Sequence, residues 1–254
     1  QSFCRPSLSV NPMRLVIQSP FIQPQHLPHI IKLCGGGQFT RLSAQAYALP
    51  VNLDGHAEPS AEIRAYCGTQ RIDCAFVADA HILQNFGLVV MDMDSTLIAI
   101  ECIDEIADMY GLKPQVSKIT ASAMRGEIEF AESLRRRVAL LAGLDESALQ
   151  RVYDERLRLN PGALELLAAC KQHGIRTLLV SGGFTFFTSR LKQMTGLDYT
   201  CANTLEIIDG KLSGKVLGDI VDAQGKADCF TKARDKLGLR VDQTIAIGDG
   251  ANDL

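Results

Sequence analysis

"LVVMDMDSTL", Leu88 to Leu97, is the stretch that decides how this chain folds. The apolar residues Leu88 to Met91 run without a break into Asp92, Met93 and Asp94, and then into Ser95 and Thr96. Such a run suits a strand buried on both faces of a parallel sheet, and its carboxyl end would deliver Asp92 and Asp94 side by side. Like charges that close repel each other. The pair therefore implies a bound cation, a proton held on one carboxyl, or both.

Two later runs have the same character: "IRTLLVSGG" (Ile175 to Gly183) and "QTIAIGDGAND" (Gln243 to Asp253). In open α/β sheets the ligand sits beyond the carboxyl ends of the strands, so Asp92, Ser181 and Asp249 would converge on one crevice. Between the first two runs the pattern is helical from Glu101 to about His173, far longer than a crossover needs. The surplus reads as an inserted helical subdomain, either a lid over the crevice or an enlargement of the core. "NTLEIIDGKLSGKV" (Asn203 to Val216) reads as a β-hairpin turning at Asp209-Gly210.

Residues 14 to 80 form a separate small α/β pattern. "RLVIQ" (Arg14 to Gln18) reads as a strand, and "PQHLPHIIKLCGGG" as a helix closed by Gly35 to Gly37. "RLSAQAYALPV" alternates Leu42, Ala44, Ala46 and Ala48 against polar partners, as one strand would. A second helix begins near Ser60 as N-cap, and "RIDCAFVAD" alternates Ile72, Cys74 and Phe76 as a closing strand. No reactive cluster stands out there.

The 254 residues carry 26 Lys and Arg against 29 Asp and Glu, which gives neither nucleic acid nor an acidic membrane surface a reason to bind. No apolar run approaches the roughly 20 residues of a membrane span, and Gln1 to Arg14 has no secretory h-region. The 8 cysteines are widely scattered, with no C-x-x-C pair, which points to reduced thiols in a cytoplasmic enzyme.

Several residues could carry chemistry. Asp92 could attack phosphorus, Asp92 with Asp249 could hold Mg²⁺, and Asp94 could give and take a proton at the leaving oxygen. Proximity to Asp92 should raise the pKa of Asp94. Ser181 with Gly182 and Gly183 is either a phosphate cradle or a plain strand-to-helix turn. Lys226 opens the helical stretch "KADCFTKARDKLG", where the dipole disfavours a cation unless an anion lies nearby. On "FAESLRRRVALLAG" the helical angle puts Arg137 within the apolar face of Phe130, Leu134, Val138 and Leu141, whereas Arg135 and Arg136 point elsewhere. There it either snorkels or meets an anion.

Together, Asp92-Met-Asp94-Ser-Thr, Ser181-Gly-Gly, Lys226 and "GDGAND" (Gly248 to Asp253) resemble the four motifs of the haloacid dehalogenase (HAD) superfamily. More narrowly, "MDMDSTLIAIECIDEIA", "FAESLRRRV" and "VSGGF" are similar to the branch that hydrolyses O-phosphoserine in the last step of serine synthesis. The resemblance implies an α/β fold: a Rossmannoid parallel sheet with helices on both faces and a helical cap inserted at about 101–173. It places this core at 84–254 and a small α+β ACT-like domain at 1–83, where such domains bind amino acids or pair subunits into a homodimer. It implies Asp92 as nucleophile and Asp94 as general acid and base. Mg²⁺ would lie on Asp92, the Asp94 carbonyl and Asp249, with Asp253 behind a bound water. Ser181, Gly182, Lys226 and Asn252 would hold the phosphoryl group, Glu101 the substrate ammonium and Arg137 its carboxylate, with Met124 and Phe130 as apolar wall. Members of the family continue past the last motif, so the end of the core is expected to lie beyond Leu254. Phosphothreonine or phosphohomoserine would suit the same chemistry, and an inactive amino-acid-sensing regulator is the alternative of another class.

Overall fold

The computed structural model describes residues 12–51 and 58–250. It divides into two units, Gln1–Asn85 and Phe86–Leu254. In the first, Met13–Gln18 (β1) buries Leu15 and Ile17 on one face, the alternation of a strand covered on one side. His26–Leu33 (α1) follows and ends where Gly35 takes φ +79°, a left-handed turn that glycine enters without a Cβ penalty. Thr40–Arg41 (β2), Ala46–Val51 (β3), Ala61–Thr69 (α2) and Asp73–Ala78 (β4) complete the unit. Ser60 caps α2 as expected, its hydroxyl accepting from the Ile63 amide. The sheet is antiparallel in the order β2-β3-β1-β4. Leu15, Ile17 and Leu49 pack with Ile30, Ile63 and Cys67 of the two helices.

One expectation fails here. The stretch Arg41 to Val51 is a hairpin rather than one strand: the amides of Leu42 and Ser43 both donate to the Ala46 carbonyl, and Ser43 Oγ accepts from the Gln45 amide. A serine that offers the backbone a local partner competes with a strand ladder.

In the second unit, Leu88–Met91 (β5) is buried at every position, as a central parallel strand must be. The chain then leaves the sheet, and Ile98 meets Leu159 in an antiparallel bridge where it returns. Within that excursion lie Cys102–Met109 (α3), Lys113–Met124 (α4), Phe130–Ala139 (α5) and Ser147–Arg151 (α6). Ile106, Val116, Leu134 and Val138 are among the side chains they bury. Ala163–Gln172 (α7) comes after the bridge and serves as the crossover to Arg176–Phe184 (β6). Thr185–Thr195 (α8), Tyr199–Ile208 (β7), Lys211–Leu217 (β8), Ala223–Lys236 (α9) and Thr244–Ile247 (β9) follow.

The sheet runs β8-β7-β6-β5-β9, with β5 parallel to both β6 and β9. Leu88, Val90, Leu178 and Val180 point to the face covered by Phe230 and Ala233 of α9. The β7–β8 hairpin turns at Asp209 (φ +50°) and Gly210 (φ +74°), two left-handed residues that match the strand twist.

Two expectations are corrected. α9 begins at Ala223, not Lys226, because the Asp222 side chain accepts from the Gly225 amide and caps the helix one turn earlier. Cys201 of β7 and Cys229 of α9, expected as thiols, form a disulfide across 28 residues of sequence. Their spacing gave no hint because a strand and the helix packed on it bring them together. Cys34, Cys67, Cys74, Cys102 and Cys170 are free. Among the described residues no helix is long and apolar enough to cross a membrane.

Candidate active site

The loop after β5 sets the geometry. Ser95 takes φ +57°, a conformation that costs a non-glycine residue on the order of 1 kcal/mol and persists only when its surroundings hold it. Asn160 holds it. Its Nδ2 donates to the carbonyl of Thr96 at 2.8 Å and lies 3.3 Å from that of Ile98 and 3.4 Å from that of Ser95. Thus turned, Asp92, Asp94 and Thr96 face the carboxyl ends of the parallel strands.

Asp92 Oδ1 accepts from Lys226 Nζ at 2.8 Å, and their side chains are only 11% and 12% exposed. The anion that a lysine in the first turn of a helix calls for is therefore this carboxylate. Asp94 Oδ1 accepts from the Cys102 amide at 2.9 Å, and its Oδ2 lies 3.5 Å from Ser181 Oγ. Its carboxyl pKa is pushed up to about 7. Burial is the main cause, Glu101 and Asp92 add to it, and the Cys102 hydrogen bond opposes it. The expected direction stands, but Asp92 is the least of the three causes. At the end of β9, Asp249 Oδ1 accepts from Thr96 Oγ1 at 2.8 Å.

Ser181 is buried at the end of β6 and its Oγ accepts from the Gly183 amide at 2.8 Å. The two glycines leave room for close neighbours: a Cβ on Gly182 would stand 2.8 Å from the Phe130 ring, and one on Gly183 would stand 2.7 Å from Asp94 Oδ2, so either would displace those side chains. Asn203 Nδ2 donates to the Gly182 carbonyl, and Asn203 Oδ1 accepts from the Val221 amide, so one buried side chain ties the cradle to the approach to α9.

From the cap side, Glu101 precedes α3 and accepts from Ser95 Oγ at 2.7 Å. Its pKa is raised, first by burial and then by Asp104, Asp249 and Asp92, against the lowering effect of Ser95. Arg137 of α5 is half-buried, and its Nε is fully covered without a hydrogen-bond partner. Burial lowers its pKa, opposed by Asp104, Glu101 and Asp94. Arg136 instead pairs with Glu132 at the surface. Met124 is 85% exposed, so the apolar wall expected of it is loosely packed, whereas Phe130 stands over Gly182.

Every described residue that the sequence assigned to the site lines one cavity of about 590 Å³, together with Asp104 and Ser133, which the sequence did not single out. Asn252 and Asp253 lie outside the described residues. The cavity holds the carboxylates Asp92, Asp94, Glu101, Asp104 and Asp249 against the cations Lys226 and Arg137. That negative excess, offered by hard oxygen donors, fits a divalent cation such as Mg²⁺. Among the described residues no three His, Cys, Asp or Glu side chains form a closed metal cage. Mg²⁺ does not ask for one, since it takes one or two carboxylates with water and phosphate.

Residues 89–254 match the model of the haloacid dehalogenase-like hydrolases. The chain belongs to that family. Hydrolases of this family typically use Mg²⁺. Similar chains include the phosphoserine phosphatase of Polaromonas sp., 53% identical over 177 residues, 68% of this chain and 75% of that one. Among solved structures, a HAD family hydrolase from Salmonella enterica serovar Typhi superposes with a TM-score of 0.85 at 31% identity, over 96% of this chain and 85% of its own. An unliganded probable phosphoserine phosphatase from Vibrio cholerae gives 0.78 at 35%, over 96% and 74%. The chain thus has the HAD core sheet with its helical insert, as expected. Asn160, Asn203, Asp104 and Ser133 carry no motif, and only their positions in space reveal them.

Proposed function

We propose that this chain is a Mg²⁺-dependent phosphomonoester hydrolase that converts O-phosphoserine to serine and phosphate. One observation carries the reading: two carboxyl groups two residues apart sit in opposite environments. Asp92 is paired with an ammonium, while the Asp94 carboxyl is buried and pushed up to about 7. Environments that separate two carboxyls in this way assign one as nucleophile and the other as proton donor.

Asp92 attacks phosphorus as the ester oxygen leaves, and Asp94 gives that oxygen its proton, so serine departs and an acyl phosphate remains on Asp92. Asp94, now ionised, takes a proton from water. The resulting hydroxide attacks phosphorus, releases phosphate and restores the Asp92 carboxylate. Ser181 Oγ, the Gly182 amide and Lys226 Nζ would hold the phosphoryl oxygens, with Asn252 approaching them. Asp92, the Asp94 carbonyl and Asp249 would hold Mg²⁺, whose charge when bound offsets that of the phosphoryl group. Glu101 would receive the substrate ammonium and Arg137 its carboxylate, with Met124 and Phe130 closing over its stem.

The high identity to a phosphoserine phosphatase supports the substrate, and the charge pair Glu101 and Arg137 suits an amino acid rather than a neutral sugar. The reading includes a cytoplasmic place in serine synthesis, an ACT-like first unit and a homodimer formed through it, whose mass gel filtration would report. The test is phosphate release from O-phosphoserine. Turnover should appear with Mg²⁺ and vanish with chelator, and a chain that releases no phosphate from this ester in Mg²⁺ would refute the reading.

A further inference from the structure

Ser133 stands on α5, one turn before Arg137 and on the same side of the helix, where residues four apart have Cβ atoms roughly 5–6 Å apart. It is 1% exposed, it lines the cavity, and its Oγ has no hydrogen-bond partner among the protein groups. A serine in a helix normally turns its hydroxyl back to the carbonyl four residues earlier; here the Glu129 carbonyl receives only the Ser133 amide. Nearby, the covered Nε of Arg137 is also without a partner. A buried hydroxyl left unpaired costs about 1–3 kcal/mol, a cost that a ligand acceptor reaching it would relieve.

The two orphaned donors share a chemistry. A carboxylate offers two oxygens and about four acceptor sites, enough to take a guanidinium N–H and a hydroxyl together. None of the cavity's own carboxylates plays this part, since neither Ser133 Oγ nor Arg137 Nε has a hydrogen-bond partner. Phe130 and Leu134, beside Ser133 in the wall, have nothing to offer it.

We infer that Ser133 is a specificity-determining residue, its hydroxyl donating to the substrate carboxylate that Arg137 binds. The inference rests on the proposed hydrolysis of O-phosphoserine and adds a second, neutral hand to its recognition. A neutral donor sharpens the choice of carboxylate without adding charge to a pocket that must also admit an ammonium and a phosphate.

The probe is a pair of substrates, O-phosphoserine and O-phosphoethanolamine, which differ by the carboxylate alone. Ser133→Ala should lower kcat/KM for O-phosphoserine about 10-fold, mostly through KM, and leave O-phosphoethanolamine within about two-fold of wild type. Removing an unpaired hydroxyl should keep or raise the melting temperature; Ser133→Cys, nearly the same shape but a weak donor, carries the comparison if the alanine variant does not fold. Equal losses on both substrates would make Ser133 a packing residue and overturn the inference, as would no loss on either. A wild type that does not favour O-phosphoserine would instead overturn the proposed substrate, and this inference with it.

Discussion

The two walls of the cavity differ in how they treat their polar groups. On the sheet side, Asp92 is paired with Lys226, Asp249 with Thr96, Ser181 with the Gly183 amide, and Asp94 with the Cys102 amide. On the cap side, Glu101 accepts from Ser95 Oγ, but Ser133 Oγ and Arg137 Nε are covered and have no partner. A wall whose groups hold one another in place is organised before the substrate arrives, which is what stabilising a fleeting phosphoryl transition state requires. A wall whose donors are unpaired depends on the substrate to complete it, which is what discrimination requires. On the proposed reading, the sheet side serves the reaction and the cap side the choice of molecule.

The strongest way to break that division is Asp92→Asn. The amide keeps the shape of the side chain and an oxygen for Lys226, so the melting temperature should stay within a few degrees, while turnover should fall by at least about 10³-fold because no nucleophile remains. The loss should be the same for O-phosphoserine and for p-nitrophenyl phosphate. A loss confined to O-phosphoserine would mean that position 92 recognises the substrate rather than reacting with it.

The same contrast explains what could be read from the sequence. Asp92, Ser181 and Asp249 were legible because each follows an unbroken apolar run, and a parallel sheet aligns the ends of such runs whatever lies between them. Arg137 was legible because helical angle alone puts a charge where only apolar residues belong. Asn160 and Asn203 were not, since each holds backbone that is remote in sequence, Asn160 reaching 64 residues back to Thr96. Ser133 was not, because a serine among apolar neighbours on a helix looks unremarkable until its lack of a partner is seen. Glu101 came from family resemblance alone. The Cys201–Cys229 bond was missed for a related reason, since it depends on how α9 packs on the sheet, which spacing along the chain does not encode. The early start of α9 was missed although Asp222 is a favoured capping residue three before Gly225.

A second test addresses the electrostatics of the sheet side through stability. The Asp94 carboxyl is held at about 7, above its unfolded value of 3.8, so between those pH values the folded protein binds the extra proton. Stability of the metal-free protein should therefore be highest, from this group, below about pH 4 and fall as pH rises through about 7, by about 4 kcal/mol at most. Asp94→Asn cannot ionise and should lose this dependence: relative to wild type it should be more stable at pH 8 than at pH 5, by urea unfolding in the presence of chelator. The same variant should be nearly inactive, since it has no proton to cycle. If wild type and variant ran parallel across that range, burial would not be acting on Asp94 as the geometry requires.

The smallest expected effect falls on the cap side. Arg137→Ala removes the only cation that the cap brings to the cavity among the described residues. The consequence should be selective, because Lys226 and the cradle at Ser181 remain to bind phosphate. Loss of one member of a desolvated charge pair weakens binding by about 2–5 kcal/mol in general, and a half-buried site open to water belongs near the lower end. KM for O-phosphoserine should therefore rise by about 10²-fold, with kcat changed far less. KM for p-nitrophenyl phosphate, which has no carboxylate, should barely move. Burial already works against the Arg137 charge, with Asp104, Glu101 and Asp94 sustaining it, so the alanine variant should fold at least as well as wild type. A variant that lost kcat equally on both substrates would place Arg137 in the reaction itself, and the division between a wall that reacts and a wall that selects would no longer hold.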